Sequence, residues 1–169
     1  GGYNAVDTVE LLVDRGADVN AIDADGETPL LSVLNFEQRS FFRHAEIIRL
    51  LLDRGAAVNA RESKTTKETA LHRASGSGRA DLVQMLLDRG ADVDAKDCDG
   101  NIPLHEACHK GNLLSLNLLL DRGASVNDTN NMMRNPLHMA CCSAHVEGEY
   151  KDEEDSTLYN GHLEMVKVL

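Results

Sequence analysis

Large aromatic side chains are nearly absent from this sequence of 169 residues. It has no tryptophan, and aromatic residues of all kinds amount to 4% of the chain. Hydrophobic residues nevertheless make up 42% of it, so there is material for a core. That core must be built from Leu, Ile, Val, Ala and Met, and an architecture centred on large rings is excluded.

Positive charge is also scarce. Only 17 Lys and Arg stand against 28 Asp and Glu, which leaves a formal net charge of −11. Sequence-independent nucleic-acid binding requires cations that neutralise phosphates, and an anionic membrane surface would repel such a chain. No apolar run approaches the roughly 20 residues that a membrane-spanning helix needs. We therefore predict that the partners include neither nucleic acid nor membrane.

The cysteines do not follow the spacing of a disulfide framework. They are Cys98, Cys108, Cys141 and Cys142. This usage is typical of a reducing compartment, so we expect a cytoplasmic or nuclear protein. Three of the cysteines, Cys108, Cys141 and Cys142, form a cluster with metal-ligand chemistry together with His109 and His145, but the short C-x2-C pairs of zinc sites are missing. Because there is also no nucleophile elbow and no phosphate-binding Gly loop, we predict no enzyme, no metal and no cofactor.

One pattern of helix end, turn and helix start organises the chain. Residues 86–107 read LLDRGADVDAKDCDGNIPLHEA. Gly90 can end a helix in the left-handed conformation. The Asp99-Gly100 pair is typical of a tight turn, and Pro103 suits the first turn of the next helix. The pattern therefore predicts two helices joined by a short hairpin.

This pattern recurs along the chain. An Asp-Arg-Gly tripeptide begins at Asp14, Asp53, Asp88 and Asp121. A tetrad of the type TPLH begins at Thr28, Thr69, Ile102 and Asn135. The last three tetrads are 33 residues apart, which is the period of the ankyrin repeat with its T-P-L-H-x-A signature. The chain thus resembles the ankyrin-repeat family over nearly its whole length.

The resemblance implies an all-α repeat solenoid of stacked helix-turn-helix pairs with projecting β-hairpins. We expect one domain over residues 1–169, cut from a longer array. Its predicted parts are a partial repeat (1–22), a repeat with the insertion Glu37–Phe42 between its helices (23–63), two further repeats (64–96 and 97–129), and a truncated repeat with an acidic insertion near 144–160 (130–169).

Two local expectations concern the third repeat. Its hairpin, ARESKTTKE (60–68), lacks the Asp-Gly turn and is predicted to be a mobile finger. Its first helix carries the short side chains of Ser75, Gly76 and Ser77. These residues are predicted to leave a shallow pocket on the concave face.

By resemblance, the function is non-catalytic binding of a peptide or partner domain on a concave surface of hairpins and first helices. The alternative is a targeting or regulatory segment of a larger enzyme, ligase adaptor or channel. As a fragment the chain is expected to be a monomer. The positions that the resemblance assigns to partner binding are Ala24, Asp25, Glu27, Asn35, Phe36, Thr66, Glu68, Ser77, Cys98, Asp99, Asn101, His109, Lys110, Met132, Arg134 and Cys142.

Two further residue types recur at fixed positions. His72, His105 and His138 are expected to tie hairpins to helices and neighbouring repeats together, as the family's histidines do. Asn20 ends the segment LLVDRGADVN (11–20), and ankyrin repeats can be β-hydroxylated at this Asn by a cytosolic oxygenase. The resemblance makes Asn20 a candidate for that modification. The alternative is an ordinary turn Asn with local hydrogen bonds.

Carboxylates are concentrated on the predicted hairpins. A row of them along one edge should attract basic segments, so a basic peptide is the predicted kind of partner. The first Asp of each D-x-D-G turn is expected to bond its own backbone. Asp25, Glu27 and Asp99 are expected to remain free for a partner.

Overall fold

The computed structural model describes residues 5–35, 41–62, 64–146 and 167–168. Eight α-helices lie within these ranges. They are α1 (Ala5–Asp14), α2 (Pro29–Asn35), α3 (Phe41–Asp53), α4 (Ala70–Gly76), α5 (Ala80–Asp88), α6 (Pro103–His109), α7 (Leu113–Asp121) and α8 (Pro136–Val146). Across the same ranges, each helix is too short or too polar to span a bilayer.

The helices stack as pairs in two rows. Helices α2, α4, α6 and α8 contact one another in succession along one row. In the other row α1 contacts α3, and α5 contacts α7, while each of α2, α4 and α6 packs on the helix that follows it. This arrangement confirms the predicted all-α repeat solenoid. The repeat boundaries and both insertions remain predictions, because residues 36–40 and 147–160 lie outside the described residues.

Helix α5 shows how the repeated pattern produces an element. Leu82, Val83, Leu86 and Leu87 fall on one face and are all buried. The helix ends where Gly90 takes a φ of +81°. The N–H of Ala91 then donates to the Leu86 carbonyl at 3.0 Å, which satisfies a carbonyl that the helix leaves open. The apolar spacing thus selects the buried face, and the glycine fixes the end.

Each hairpin is a tight turn closed by one polar side chain. Asp23 accepts the N–H groups of Asp25 and Glu27, both at 2.9 Å. Asp97 and Asn130 accept the corresponding bonds in the later turns. A backbone bond also crosses each turn, for example from the N–H of Asp23 to the Glu27 carbonyl at 3.0 Å. Beyond these bonds, the described residues contain an isolated bridge between Arg61 and Thr69 and no extended strand, so the projecting hairpins are turns rather than paired strands.

The prediction of a mobile finger in the third repeat was wrong for the part that the structure describes. Glu62, only 3% exposed, takes the position of the turn-closing Asp. Its carboxylate accepts the N–H of Lys64 and Thr66, each at 2.6 Å, and also those of Thr65 and Lys67. Burial opposes ionisation, but these N–H groups lower the pKa of Glu62 to about 2. The Glu62 side chain is longer than that of the Asp or Asn in the other turns. It can therefore bond the N–H groups of this longer turn and hold it in place.

Three ladders of polar contacts join neighbouring helix pairs. The Nε2 atom of His72 lies 3.0 Å from the Asn101 carbonyl, and that of His105 lies 2.9 Å from the Arg134 carbonyl. Burial lowers the pKa of both imidazoles, so they are neutral at pH 7. These two contacts confirm the predicted tie between repeats, whereas His138 is exposed and bonds only Asn135 among the described residues.

The third ladder runs through the Asn after the Asp-Arg-Gly motif, where Asn59 bonds Gly90 and Asp92. The second ladder follows the motif itself. Arg89 pairs with Asp53, and Arg122 pairs with Asp88, each at 2.7 Å. Each of these arginines reaches the aspartate of the preceding motif, and Arg54 pairs with Asp14 in the same way. These exposed pairs add little individually, so they mainly fix the register between repeats.

Candidate functional site

The predicted binding residues lie on one side of the stack. We call it the turn-side face and define it as turns 23–27, 62–68, 97–101 and 130–134 with helices α2, α4, α6 and α8. Four predicted residues are half-buried there: Glu27, Thr66, Glu68 and Asn101. Phe36 lies outside the described residues. The others are exposed: Ala24, Asp25, Asn35, Ser77, Cys98, Asp99, His109, Lys110, Met132, Arg134 and Cys142.

A cavity of about 330 Å³ opens between the first two turns of this face. It brings together three of the predicted residues, Asp25, Glu27 and Asn35. The remaining lining residues are Thr65, which the resemblance also places among the variable positions, and Glu62 and Lys64, which sequence reasoning missed. Glu62 stands at the start of its turn, where Asp23 and Asp97 stand in other turns, and this place indicates its role. The two extra residues of that hairpin obscured the correspondence with those aspartates.

Arg73 braces the wall of the cavity. Its guanidinium pairs with Glu27 at 2.8 Å and with Glu68 at 3.3 Å. It also donates to the Leu31 carbonyl at 3.0 Å. Its side chain is only 10% exposed, and that of Glu27 is 12% exposed. The prediction that Glu27 remains free was therefore wrong, because a cation from the following helix pair occupies it.

The turns are tied laterally into a continuous edge. The N–H of Cys98 donates to the Thr66 carbonyl, and the N–H of Asn131 donates to the Asp99 carbonyl, each at 2.8 Å. Gly100, with a φ of +76°, allows the close approach of Asn131, whose Oδ1 would lie 2.6 Å from an added Cβ. The turn tips are thus preorganised by backbone bonds.

Glu106 of α6 lies at the middle of the face. Its side chain approaches Gly76, where an added Cβ would lie 3.8 Å from Oε2. It therefore fills part of the space where a shallow pocket was predicted. Burial, followed by the charges of Glu68 and Asp97, raises the pKa of Glu106 to about 7. A cation placed beside a half-buried carboxyl group of this kind stabilises its charged form.

Asn20 is engaged in contacts between repeats. Its Nδ2 donates to the Gly55 carbonyl at 3.2 Å, and its Oδ1 accepts the Ala57 N–H at 2.7 Å. Asn59 makes the same pair of bonds to Gly90 and Asp92. The structure therefore gives this Asn a structural role, and its hydroxylation stays a prediction.

The cysteines do not form a reactive centre in the described part of the chain. All four are free thiols, and burial raises the pKa of Cys108 to about 12. Desolvation and the nearby carboxylates of Asp99 and Asp97 raise the pKa of Cys98. No group of three or more His, Cys, Asp or Glu side chains in the described ranges is arranged to hold a metal ion.

A stack of helix pairs with turns along one polar face defines an all-α repeat solenoid. A family model for ankyrin repeats in three copies matches residues 2–97, and a single ankyrin-repeat model matches residues 99–131. The chain belongs to the ankyrin-repeat family. Members of this family are generally protein–protein interaction modules and are typically non-catalytic. No curated protein matched the chain in a search of such proteins.

Proposed function

We propose that this protein binds a basic, extended segment of a partner protein along its turn-side face, without catalysis. The observation that carries the proposal is the cavity that joins Asp25, Glu27 and Asn35, because it provides a formed recess next to the exposed carboxylate of Asp25. Asp99, exposed on a later turn, and half-buried Glu106 continue the acidic character along the same face.

The rigidity of the face favours this function. Side-chain bonds close each turn, and backbone bonds link Cys98 to Thr66 and Asn131 to Asp99. A surface that is already ordered loses little conformational entropy when a partner binds. A row of carboxylates also steers a basic segment toward it and raises its association rate. The proposed partner is thus a flexible chain with Arg or Lys, bound by a stiff scaffold.

The test is a selection of peptides that bind the immobilised protein, followed by affinity measurements on the enriched sequences. We expect enrichment of Arg and Lys, and an affinity that falls as salt is raised. The double variant Asp25→Lys/Asp99→Lys should lose these peptides. Glu27 is left unchanged in this variant, because its pairing with Arg73 has a structural role.

The matched control is Glu46→Lys/Asp121→Lys. Both residues are exposed, and they lie on the other row of helices, in α3 and α7. This double variant changes the net charge by the same amount away from the turn-side face. Equal loss of binding in both double variants would show a general charge effect. Enrichment of apolar peptides with no salt dependence would contradict the proposal.

A further inference from the structure

The cavity between the first two turns is lined by three carboxylates, one ammonium and two neutral polar side chains. It measures about 330 Å³, which is at the small end of protein ligand sites and suits a single long side chain. Asp25 and Glu27 come from the first turn, and Asn35 from the end of α2. Glu62, Lys64 and Thr65 come from the second turn.

Most hydrogen-bond donors in the lining are already used inside the protein. The Nδ2 of Asn35 donates to both carboxylate oxygens of Glu27, at 2.6 and 2.7 Å. The Nζ of Lys64 donates to the Ala24 carbonyl. The hydroxyl of Thr65 donates to Glu62 at 3.0 Å. These bonds also hold the walls of the cavity in place.

Acceptors, by contrast, remain available. Within the described residues, the carboxylate of Asp25 has no hydrogen-bond or ion-pair partner. The Asn35 amide, with its nitrogen turned to Glu27, leaves its carbonyl oxygen to accept. The Thr65 oxygen likewise keeps lone pairs after donating. Because the lining has three carboxylates and one ammonium, a ligand that matches it carries positive charge and several donors.

Among side chains, this description selects arginine over lysine. A guanidinium presents five donors in a plane and can bond two separated acceptors at once, whereas an ammonium acts as a strongly hydrated point charge. A metal ion is a poorer match, because no group of three or more ligating side chains is arranged for one in the described ranges. The acceptors here come from two different turns, which suits the wider group.

We propose that this cavity is an arginine-selective anchor site that receives one guanidinium from the partner segment. The inference rests on the proposed function and deepens it by naming the anchoring side chain. Asp25 provides the carboxylate for the pair. Asn35 and Thr65 provide the neutral acceptors that distinguish a guanidinium from an ammonium.

The test uses three capped pentapeptides, with Arg, Lys or citrulline at the centre and Gly or Ala elsewhere. Each is titrated into the whole 169-residue protein, and binding is followed by the NMR shifts of the Thr65 and Thr66 amides and the Asn35 side-chain amide. We expect the Arg peptide to bind with a dissociation constant on the order of 1 mM, about fivefold tighter than the Lys peptide. Citrulline keeps the shape but not the charge, so its shifts should stay negligible.

The variant Asp25→Asn should weaken Arg binding about fivefold or more, because it removes the charge that lacks an internal partner. The matched control is Asp121→Asn, since Asp121 is an exposed aspartate on α7 that lies off the turn-side face and does not line the cavity. Equal Arg and Lys affinities, binding by citrulline, equal effects of the two variants, or no shifts at all would overturn the inference. A basic partner that still binds the turn-side face in that case would leave the proposed function standing.

Discussion

The side-chain oxygen of Asn59 accepts the backbone N–H of Asp92 at 2.8 Å, across the boundary between two helix pairs. The Nδ2 of the same side chain donates to the Gly90 carbonyl at 3.2 Å. The side-chain amide of Asn59 thus bonds two backbone groups just after the end of α5, the Gly90 carbonyl and the Asp92 N–H. In a solenoid, such contacts between neighbours are the main source of cooperative stability.

Replacing Asn59 with Ala should therefore lower the free energy of unfolding by about 1 kcal/mol, because two hydrogen bonds are lost and the site is exposed enough for water to replace them in part. Urea unfolding followed by circular dichroism measures the change. Asn127→Ala is the matched control, since Asn127 holds the same motif position but bonds no group in the described part of the chain. Equal losses in the two variants would contradict the interface role of Asn59.

Glu106→Gln should stabilise the protein at alkaline pH and leave it unchanged in acid. The pKa of Glu106 is about 7 in the folded state, against an ordinary value of 4.5. Between these values the folded protein binds more protons than the unfolded chain, so its stability falls as pH rises. The variant removes that fall. At about pH 8 it should gain on the order of 1 kcal/mol, less than the full shift implies because the site is partly solvated.

Unfolding free energies measured at several pH values provide the test of Glu106. The control is Glu46→Gln, an exposed carboxyl on α3. A constant difference between Glu106→Gln and the parent protein across the pH range would refute the prediction.

Met133→Gly should raise stability by about 0.5–1 kcal/mol. Met133 has a φ of +58° at the turn position where Gly26 and Gly100 stand in other repeats. A side chain makes the left-handed conformation unfavourable by about 1–2 kcal/mol. Part of the relief is lost because Gly has more freedom in the unfolded chain. Thermal and urea unfolding should both show the gain.

The neighbouring Met132 is the control for that change. It is exposed to a similar degree, but it is not among the residues with positive φ. Met132→Gly should therefore bring no gain, and a gain of the same size there would point to removal of exposed apolar surface instead. The reverse change, Gly100→Ala, should destabilise, since alanine would have to keep a φ of +76° and its Cβ would lie 3.1 Å from the backbone N of Asn131.

Ser75→Ala and Ser115→Ala should each be neutral or stabilising by up to about 1 kcal/mol. Both hydroxyls are buried and lack a hydrogen-bond partner in the described ranges. Removing an unsatisfied buried polar group recovers its desolvation cost. Ser77→Ala is the comparison, because the Ser77 hydroxyl donates to the Ala74 carbonyl at 3.0 Å and its removal should cost a few tenths of a kcal/mol. Losses above 1 kcal/mol at Ser75 or Ser115 would show that these hydroxyls have partners after all.

The amino-acid sequence determined the repeat period, the helix pairs and the helix ends, because these depend on apolar spacing and on glycines within a few residues of each other. Gly90 marks a helix end by itself, and Asp97 closes its turn with bonds to residues 99 and 101. The place of His72 in the repeat is also periodic, and the resemblance to the family then implied its role. Such features are local or periodic, so a linear sequence displays them directly.

Only the tertiary structure decided which charged groups are free and where a cavity opens. Arg73 reaches Glu27 from the next helix pair. Glu27, which was expected to be free for a partner, is therefore half-buried and paired inside the protein. Glu106 acquired a pKa of about 7 through burial and through the charges of Glu68 and Asp97, which earlier turns bring close to it. Burial, ion pairing and electrostatic coupling depend on how the repeats stack. They are therefore determined by contacts between residues that are far apart in the chain.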